Sequence, residues 1–228
     1  MIVIGCPVRN RAWVLPEYLQ AISAIDWPDK RYLFVENNST DGTRKLLQRF
    51  SPGPLSSMYD HHPDNPPDHR RGWCAKDDQH AYLAKVRNYF LYMFHFTNAE
   101  YLLSIDSDII ASPDILQKLM PLANQQTIVG AAVSNIPGKP LDGNTAGNFM
   151  FLSNGKAHHP MSHKLSGLLR VDVVGACYLI PRAVLEAGVR YEAHPQGEDV
   201  AFCMNAIAKG FKMIVNLDCK PEHRMTEV

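Results

Sequence analysis

The sequence lacks any excess of charge of one sign. Its 23 basic and 23 acidic residues balance to a formal net charge of zero. A protein that binds nucleic acid or an anionic membrane through its general surface carries an excess of Lys and Arg. The composition therefore argues against nucleic acid as a partner, although it leaves room for a local basic pocket.

Long apolar runs are missing as well. No stretch approaches the ~20 apolar residues that a membrane-spanning helix needs, and the opening run from Met1 to Cys6 is short and lacks the positive start of a signal peptide. The five cysteines are scattered without a CxxC pair, which is typical of reduced thiols. From these absences we expect a cytoplasmic protein with no transmembrane segment.

What the sequence does contain is an alternation of strand and helix patterns. Ile2–Cys6 reads as a first strand that Pro7 ends, and residues 32–35 read as a second, each followed by a helical pattern. Such alternation is typical of a parallel sheet with right-handed crossovers. With 46% hydrophobic residues the chain can bury one sizeable core. We therefore predict one α/β domain over residues 1–228, with a mixed, mostly parallel sheet flanked by helices.

Two segments interrupt this alternation. Residues 51 to about 77 are rich in Pro, Asp, His and Arg and lack periodicity, which predicts a long loop. Residues 137–164 are dense in Gly, Asn, His and Pro and predict a flap or a small hairpin. Residues 168–179 are β-like, and a helix that opens at Gly197 should bury Val200, Cys203, Met204 and Ile207.

The apolar strand Tyr101–Ile105 ends abruptly in Asp106, Ser107 and Asp108. The motif alone is weak, because a chain with 15 Asp residues contains roughly one Asp-x-Asp by chance. Its position gives it weight, since ligands of open α/β sheets bind beyond the carboxyl ends of strands. Two carboxylates there can hold a hard cation that also binds diphosphate oxygens. The alternative is a solvated turn in which an Asp caps the next helix.

Two later features admit a functional and a purely structural interpretation. Glu198 and Asp199 follow Gly197 at a helix start, where the helix dipole favours acidic residues, yet either carboxylate there can also act as a base toward a hydroxyl. His223 follows a strand and Pro221, so it can return to the sheet edge as a nitrogen ligand to a metal, or it can be a solvated histidine.

Polar residues also gather near the ends of predicted elements in the first half of the chain. Such side chains suit recognition of a nucleoside, although each alone can be a cap or a surface residue. They are Arg9, Asn10, Glu36, Asn38, Asp41, Arg87 and Asn88.

Four segments occur in a familiar order, namely residues 6–11, residues 36–43, Val86-Arg87-Asn88 ahead of the Asp-x-Asp, and Gly197-Glu198-Asp199. Together they resemble the family 2 glycosyltransferases, over nearly the whole chain from Ile2 to His223. The resemblance implies a GT-A (Rossmann-like) fold and an enzyme that moves a sugar from a nucleotide-sugar to an acceptor hydroxyl. It implies that residues 1–110 bind the donor and residues 111–228 the acceptor. Because the Gln-x-x-Arg-Trp motif of processive synthases is absent, we expect a single, non-processive transfer, and the resemblance to inverting members implies that the transfer inverts.

The resemblance assigns roles on the nucleotide side. Pro7 and Arg9 would line the nucleoside pocket, Glu36 would contact the base or ribose, and Arg87 would reach the nucleotide. Residues 175–177 would lie near the donor sugar or the acceptor. The remaining nucleotide-binding candidates are Asn10, Asn38 and Ser107.

It also assigns the metal and the base. Asp108 would hold Mn²⁺ or Mg²⁺ on the diphosphate, with His223 completing the site, and Asp106 would touch ribose or sugar and also belong to the metal site. Asp199 would be the general base, with Glu198 beside it. We expect a UDP-sugar donor ahead of a GDP-sugar, and an acceptor that is a glycan, a lipid or a protein.

The sequence departs from the family pattern ahead of Arg87. Where the family often has a Gly-rich segment, this chain has Trp73, Lys76, Asp77 and His80. The chain ends at Val228, which would suit a catalytic domain taken from a longer protein.

Other classes of protein remain open. An Asp-x-Asp phosphatase or phosphotransferase would use Asp106 as a nucleophile. A sugar-1-phosphate nucleotidyltransferase would need a Gly-rich loop where this chain has residues 7–10. A non-catalytic nucleotide- or carbohydrate-binding module is the third alternative.

Overall fold

The computed structural model describes residues 1–50, 55–59, 77–136, 139, 141, 146–160 and 166–224. Its strands are β1 (Ile2–Val8), β2 (Lys30–Asn37), β3 (Leu55–Tyr59), β4 (Tyr101–Ile105), β5 (Ile109–Ile110), β6 (Thr127–Ala131), β7 (Phe149–Ser153), β8 (Lys156–His158), β9 (Leu168–Val171), β10 (Val173–Val174), β11 (Cys177–Pro181), β12 (Lys212–Asn216) and β13 (Glu222–His223). Its helices are α1 (Leu15–Ser23), α2 (Thr43–Arg49), α3 (Asp77–His95), α4 (Ile115–Leu119), α5 (Arg182–Glu186) and α6 (Glu198–Ala208), with a 3₁₀ turn at Met120–Leu122.

Eight strands form the central sheet in the order β3-β2-β1-β4-β11-β6-β12-β9. The strands β3, β2, β1 and β4 run parallel to one another, and β6 runs parallel to β12. β11 runs antiparallel between β4 and β6, and β9 is an antiparallel edge. The predicted α/β fold with a mixed, mostly parallel sheet is confirmed.

The core lies on both faces of this sheet. Alternate residues of β1 point to opposite faces, so Ile2 and Ile4 pack in the cluster that contains α1 and α4, whereas Val3 packs in the cluster with α3 and α6. Burial on both faces explains why the first strand is a continuous apolar run. The four cysteines in the described part of the chain are buried free thiols. Among the described residues, no helix is long and apolar enough to cross a membrane.

The structure corrects several predicted elements. β1 continues through Pro7 to Val8. Proline is tolerated there because β4 pairs with β1 only as far as Gly5, so the β4 side of the strand needs no N–H donor at Pro7. β3 lies within the segment predicted as a loop, and residues 60–76 of that prediction lie outside the described residues. Residues 168–179 belong to three strands rather than one, and the break between β10 and β11 lies at Ala176, which has a φ of 57°. Ile207 on α6 is 38% exposed rather than buried.

Two predictions of secondary structure are confirmed. A hairpin of β7 and β8 lies within residues 137–164, with Phe151 opposite His158. α6 begins directly after Gly197, and Val200 and Cys203 are buried on it.

Candidate active site

The loops after β1 and β2 are tied together at the same edge of the sheet. Asn10 accepts a hydrogen bond from the Thr40 N–H through Oδ1 at 2.8 Å, and its own N–H donates to Ser39 Oγ at 3.1 Å. Asn10 and Asn38 both have left-handed backbones, with φ of 50° and 51°, a conformation that Asn tolerates better than most residues. The two asparagines predicted to bind nucleotide therefore shape these loops, and Pro7 and Arg9 lie half-buried beside them.

Glu36 is buried beneath the second loop. Its Oε1 accepts the Ser39 N–H at 2.6 Å, and its Oε2 accepts Arg44 Nε at 2.9 Å. Both carboxylate oxygens thus have partners within the protein. In this arrangement Glu36 positions the loop, and the predicted contact with a base or ribose would require one of these partners to move.

Arg87 of α3 joins three carboxylates. Its Nε donates to Glu198 at 2.8 Å and lies 3.9 Å from Asp199, and its Nη2 donates to both oxygens of Asp106 at 3.1 and 3.3 Å. Burial opposes the charge of Arg87, but the carboxylates raise its pKa well above the usual value. The resemblance predicts a nucleotide contact for Arg87, whereas its described partners are protein carboxylates. Arg87 therefore connects Asp199, the predicted general base, and its neighbour Glu198 to Asp106 at the end of β4.

Asp199 is held from one side by Tyr178, which Tyr191 supports in turn. The Tyr178 hydroxyl donates to Asp199 Oδ1 at 3.0 Å and is hydrogen-bonded to the Tyr191 hydroxyl. A tyrosine hydroxyl has a single hydrogen, and that of Tyr178 is donated to Asp199. The Tyr191 hydroxyl therefore donates to Tyr178. Burial raises the pKa of Asp199 to about 7, while Arg87 opposes that rise. A carboxyl group that titrates near neutrality suits proton transfer.

Sequence patterns missed both tyrosines. Tyr178 lies in the apolar strand β11 and reads as a core residue, and Tyr191 lies outside any regular element. Asn88 holds Tyr191 in place, since its side chain bonds to both the N–H and the carbonyl of Tyr191. The sequence signal was the polar pair Arg87-Asn88, whose partners Glu198 and Tyr191 lie more than 100 residues further along.

The turn between β10 and β11 separates Asp106 from Asp199. The Ala176 carbonyl accepts the Asp106 N–H at 2.8 Å. A Cβ added at Gly175 would lie only 2.8 Å from Asp199 Oδ2, closer than real Cβ atoms approach. Glycine at 175 therefore leaves the space that this oxygen occupies, and the turn lies beside both carboxylates.

The chain returns to the Asp-x-Asp motif near its end. β13 pairs antiparallel with β5, so His223 lies opposite Ile109, and the Arg224 N–H donates to the Asp108 carbonyl at 2.7 Å. His223 Nδ1 is 2.8 Å from the Ser134 carbonyl. A carbonyl only accepts, so Nδ1 carries the hydrogen of this bond, and in the neutral ring Nε2 is the nitrogen with a lone pair for a metal. Metal-binding histidines typically make this kind of second hydrogen bond.

These residues fit a divalent cation whose remaining ligands come from the substrate. Within the described ranges, no group of three or more His, Cys, Asp or Glu side chains is arranged to hold a metal ion. Arg87 contacts both oxygens of Asp106, whereas Asp108 has one longer contact with Arg11 at 3.5 Å, so Asp108 and His223 are the more available ligands. Mg²⁺ is commonly bound through one or two carboxylates together with substrate phosphates. The fit is therefore to a shared protein–substrate site.

This architecture defines the class of the protein. A large, mixed and mostly parallel α/β sheet flanked by helices is also the architecture of the GT-A glycosyltransferases. The family described as Glycosyl transferase family 2 matches residues 3–188. The chain belongs to this family, as the sequence motifs predict. The matched range includes Asp106 and Asp108 and ends before Asp199 and His223.

Comparisons with solved structures agree on the fold. S. aureus TarS 1-349 in complex with UDP-GlcNAc has a TM-score of 0.61 at 16% identity, over 96% of this chain and 57% of that chain. The mannosyltransferase PcManGT from Pyrobaculum calidifontis, in complex with GDP-Man and Mn²⁺, has a TM-score of 0.61 at 16% identity, over 97% and 56%. GalNAc-T7 with UDP, GalNAc and Mn²⁺ has a TM-score of 0.67 at 12% identity, over 98% and 44%.

The chain spans less than two thirds of the length of these structures. A comparison with curated proteins found no match.

Proposed function

We propose that this domain transfers a sugar from a nucleotide-sugar to an acceptor hydroxyl in one inverting step, with Asp199 as the base and a divalent cation on the diphosphate. Residues 1–110 bind the donor, and residues 111–228 bind the acceptor. The donor is a UDP-sugar ahead of a GDP-sugar. Of the structural neighbours, TarS carries UDP-GlcNAc and PcManGT carries GDP-Man.

The setting of Asp199 is the observation that carries this proposal. Tyr178 holds Oδ1, while the side chain keeps 23% of its surface exposed. With a pKa of about 7, a large fraction of Asp199 is deprotonated at neutral pH, and the carboxylate is basic enough to accept a proton. The acceptor oxygen attacks the anomeric carbon as its proton passes to Asp199. The bond from that carbon to the phosphate oxygen breaks, and its electron pair leaves with the nucleoside diphosphate.

The residues at the end of β4 serve the leaving group. Asp108 and His223 would hold Mn²⁺ or Mg²⁺, which when bound neutralises charge that develops on the diphosphate. Arg87 keeps Asp106 and Glu198 ordered around Asp199, so its role is that of a positioning residue. The loops after β1 and β2, which the hydrogen bonds of Asn10 with Ser39 and Thr40 hold together, form the nucleoside side of the site.

The phosphatase alternative fits this geometry poorly. A nucleophilic Asp106 would need a free carboxylate oxygen to attack phosphorus. In the structure both of its oxygens accept hydrogen bonds from Arg87. Membership of family 2 also favours glycosyl transfer.

Thermal unfolding with nucleotides tests the proposal. UDP, GDP and CDP are each added with and without Mn²⁺. One of them should raise the melting temperature in a Mn²⁺-dependent way, since ligand at 100 times its Kd stabilises by about 2.7 kcal/mol, or roughly 5–10 °C for a chain of this size. If none of the three shifts the transition under either condition, the nucleotide-sugar proposal is wrong.

The pH dependence of transfer tests the hydrogen bond from Tyr178. Asp199 must be deprotonated to act, so kcat/KM should fall about tenfold per pH unit below its pKa of about 7. The bond from Tyr178 favours the carboxylate and lowers that pKa, so Tyr178→Phe should move the acidic limb to higher pH. Tyr92→Phe is the matched control, because Tyr92 is exposed on α3. A Tyr178→Phe limb that coincides with wild type would contradict this role.

A further inference from the structure

Arg11 lies between these loops after β1 and β2 and Asp108. Its N–H donates to Thr43 Oγ1 at 2.8 Å, which fixes the residue to the start of α2. Its Nη1 reaches the carbonyls of Arg9 and Asn10 at 3.4 Å, and its Nη2 reaches Asp108 Oδ2 at 3.5 Å. These side-chain contacts are long, and the buried Nε has no partner among the described residues. The guanidinium is thus loosely held, although its backbone is fixed.

The same guanidinium is the counter-ion of Asp108. Burial raises the pKa of Asp108, and Arg11 is the strongest of the charges that oppose this rise. A partly buried carboxylate without a cation needs such a partner. However, a guanidinium and a divalent cation repel each other at short range. Arg11 and a metal ion therefore compete for Asp108 Oδ2.

We propose that Arg11 holds Asp108 while no cation is bound and moves to the diphosphate of the donor when the cation binds. This inference rests on the proposed function. Arg11 then links the two binding events, because it gives up Asp108 at low cost only when a diphosphate is present to receive it.

The chemistry of the side chain suits this exchange. A guanidinium presents a planar fork of donors that matches phosphate oxygens in a bidentate way, which an ammonium cannot do. Its Nε, which has no partner among the described residues, provides one more donor for a diphosphate oxygen. The loop that carries Arg11 also carries Arg9 and follows Pro7 near the end of β1, and we place both residues on the nucleoside side. The guanidinium therefore lies between the predicted nucleoside and metal positions, where a diphosphate would bridge them.

Metal binding without turnover tests the exchange. Mn²⁺ affinity is measured by electron paramagnetic resonance and calorimetry, alone and with UDP or GDP, for wild type, Arg11→Gln, Arg11→Lys and the exposed control Arg49→Gln. Arg11→Gln should bind Mn²⁺ alone about fivefold or more tightly than wild type, and the mutual enhancement between Mn²⁺ and nucleotide should fall by a similar factor. Arg11→Lys keeps the charge and should keep the wild-type Mn²⁺ affinity, but lose part of the enhancement. Arg49→Gln should match wild type.

The possible failures are distinguishable. If Arg11→Gln binds Mn²⁺ no more tightly than wild type and keeps the full enhancement, while Asp108→Ala abolishes Mn²⁺ binding, the exchange is wrong and the proposed function stands. If wild type binds neither Mn²⁺ nor a nucleotide, both are overturned. Melting curves of each variant identify any that is unfolded, and Arg11→Lys then decides the matter, since an enhancement equal to wild type would also refute the exchange.

Discussion

Replacing Asp199 with Asn is expected to lower the rate of sugar transfer by on the order of 10³-fold, the usual range for loss of a general base. Asn has nearly the same shape, and its carbonyl oxygen can still accept the hydrogen bond from Tyr178. It cannot take a proton from the acceptor. Mn²⁺-dependent nucleotide binding should be unchanged, because Asp108 and His223 are untouched. Transfer is measured as release of nucleoside diphosphate in the presence of acceptor, and binding by calorimetry.

Stability gives an independent measure of the same variant. Since the folded-state pKa of Asp199 is raised to about 7, its contribution to the free energy of unfolding is fully present below the unfolded value near 3.8 and is lost as pH rises through about 7. Asn does not titrate and avoids this loss, so the variant should melt at or above the wild-type temperature at pH 8. Glu192→Gln, an exposed carboxylate-to-amide change in the preceding segment, should alter neither property. Turnover retained by Asp199→Asn would remove it as the base.

Much of the fold follows from local pattern. β1, β2, β4 and the helices between them were predictable, because an apolar run followed by a 3.6-residue period specifies a parallel βα unit. β3 was not, since its backbone pairs with β2 through Leu33 and Leu55 from within a segment that has no periodicity of its own. The end of β1 was misplaced because the effect of Pro7 depends on how far the neighbouring strand extends.

In the candidate site, too, local pattern predicts some features and long-range packing determines the others. Residues at strand ends, such as Asp106 and Asp108, could be found because the carboxyl ends of parallel strands share one edge of the sheet. Their partners could not. Arg87 meets Glu198 across 111 positions, and Tyr178 looks like any core residue of an apolar strand until the structure places Asp199 beside its hydroxyl. Sequence pattern located candidate groups, whereas their pairing depends on long-range packing.

Replacing Asp108 with Ala is expected to remove the Mn²⁺-dependent part of nucleotide affinity, a loss of at least ~10²-fold, since a bound metal contributes several kcal/mol to a phosphate site. His223 would remain, but one imidazole does not retain Mg²⁺ or Mn²⁺, which prefer oxygen ligands. The measurement is calorimetric titration of UDP or GDP at fixed Mn²⁺ and again with a chelator. Asp114→Ala is the control, because it removes the same charge from a side chain that is 51% exposed.

The two titrations of the Asp108→Ala variant separate a metal ligand from a structural residue. If Asp108 only stabilises the turn before β5, its loss weakens nucleotide binding equally with and without metal. If it holds the cation, only the Mn²⁺ titration changes. The chelated titration also bears on Arg11: without Asp108 the guanidinium is free for the diphosphate, so metal-free binding should be equal to or tighter than that of wild type. Nucleotide affinity that keeps its full Mn²⁺ dependence in Asp108→Ala would place the cation elsewhere.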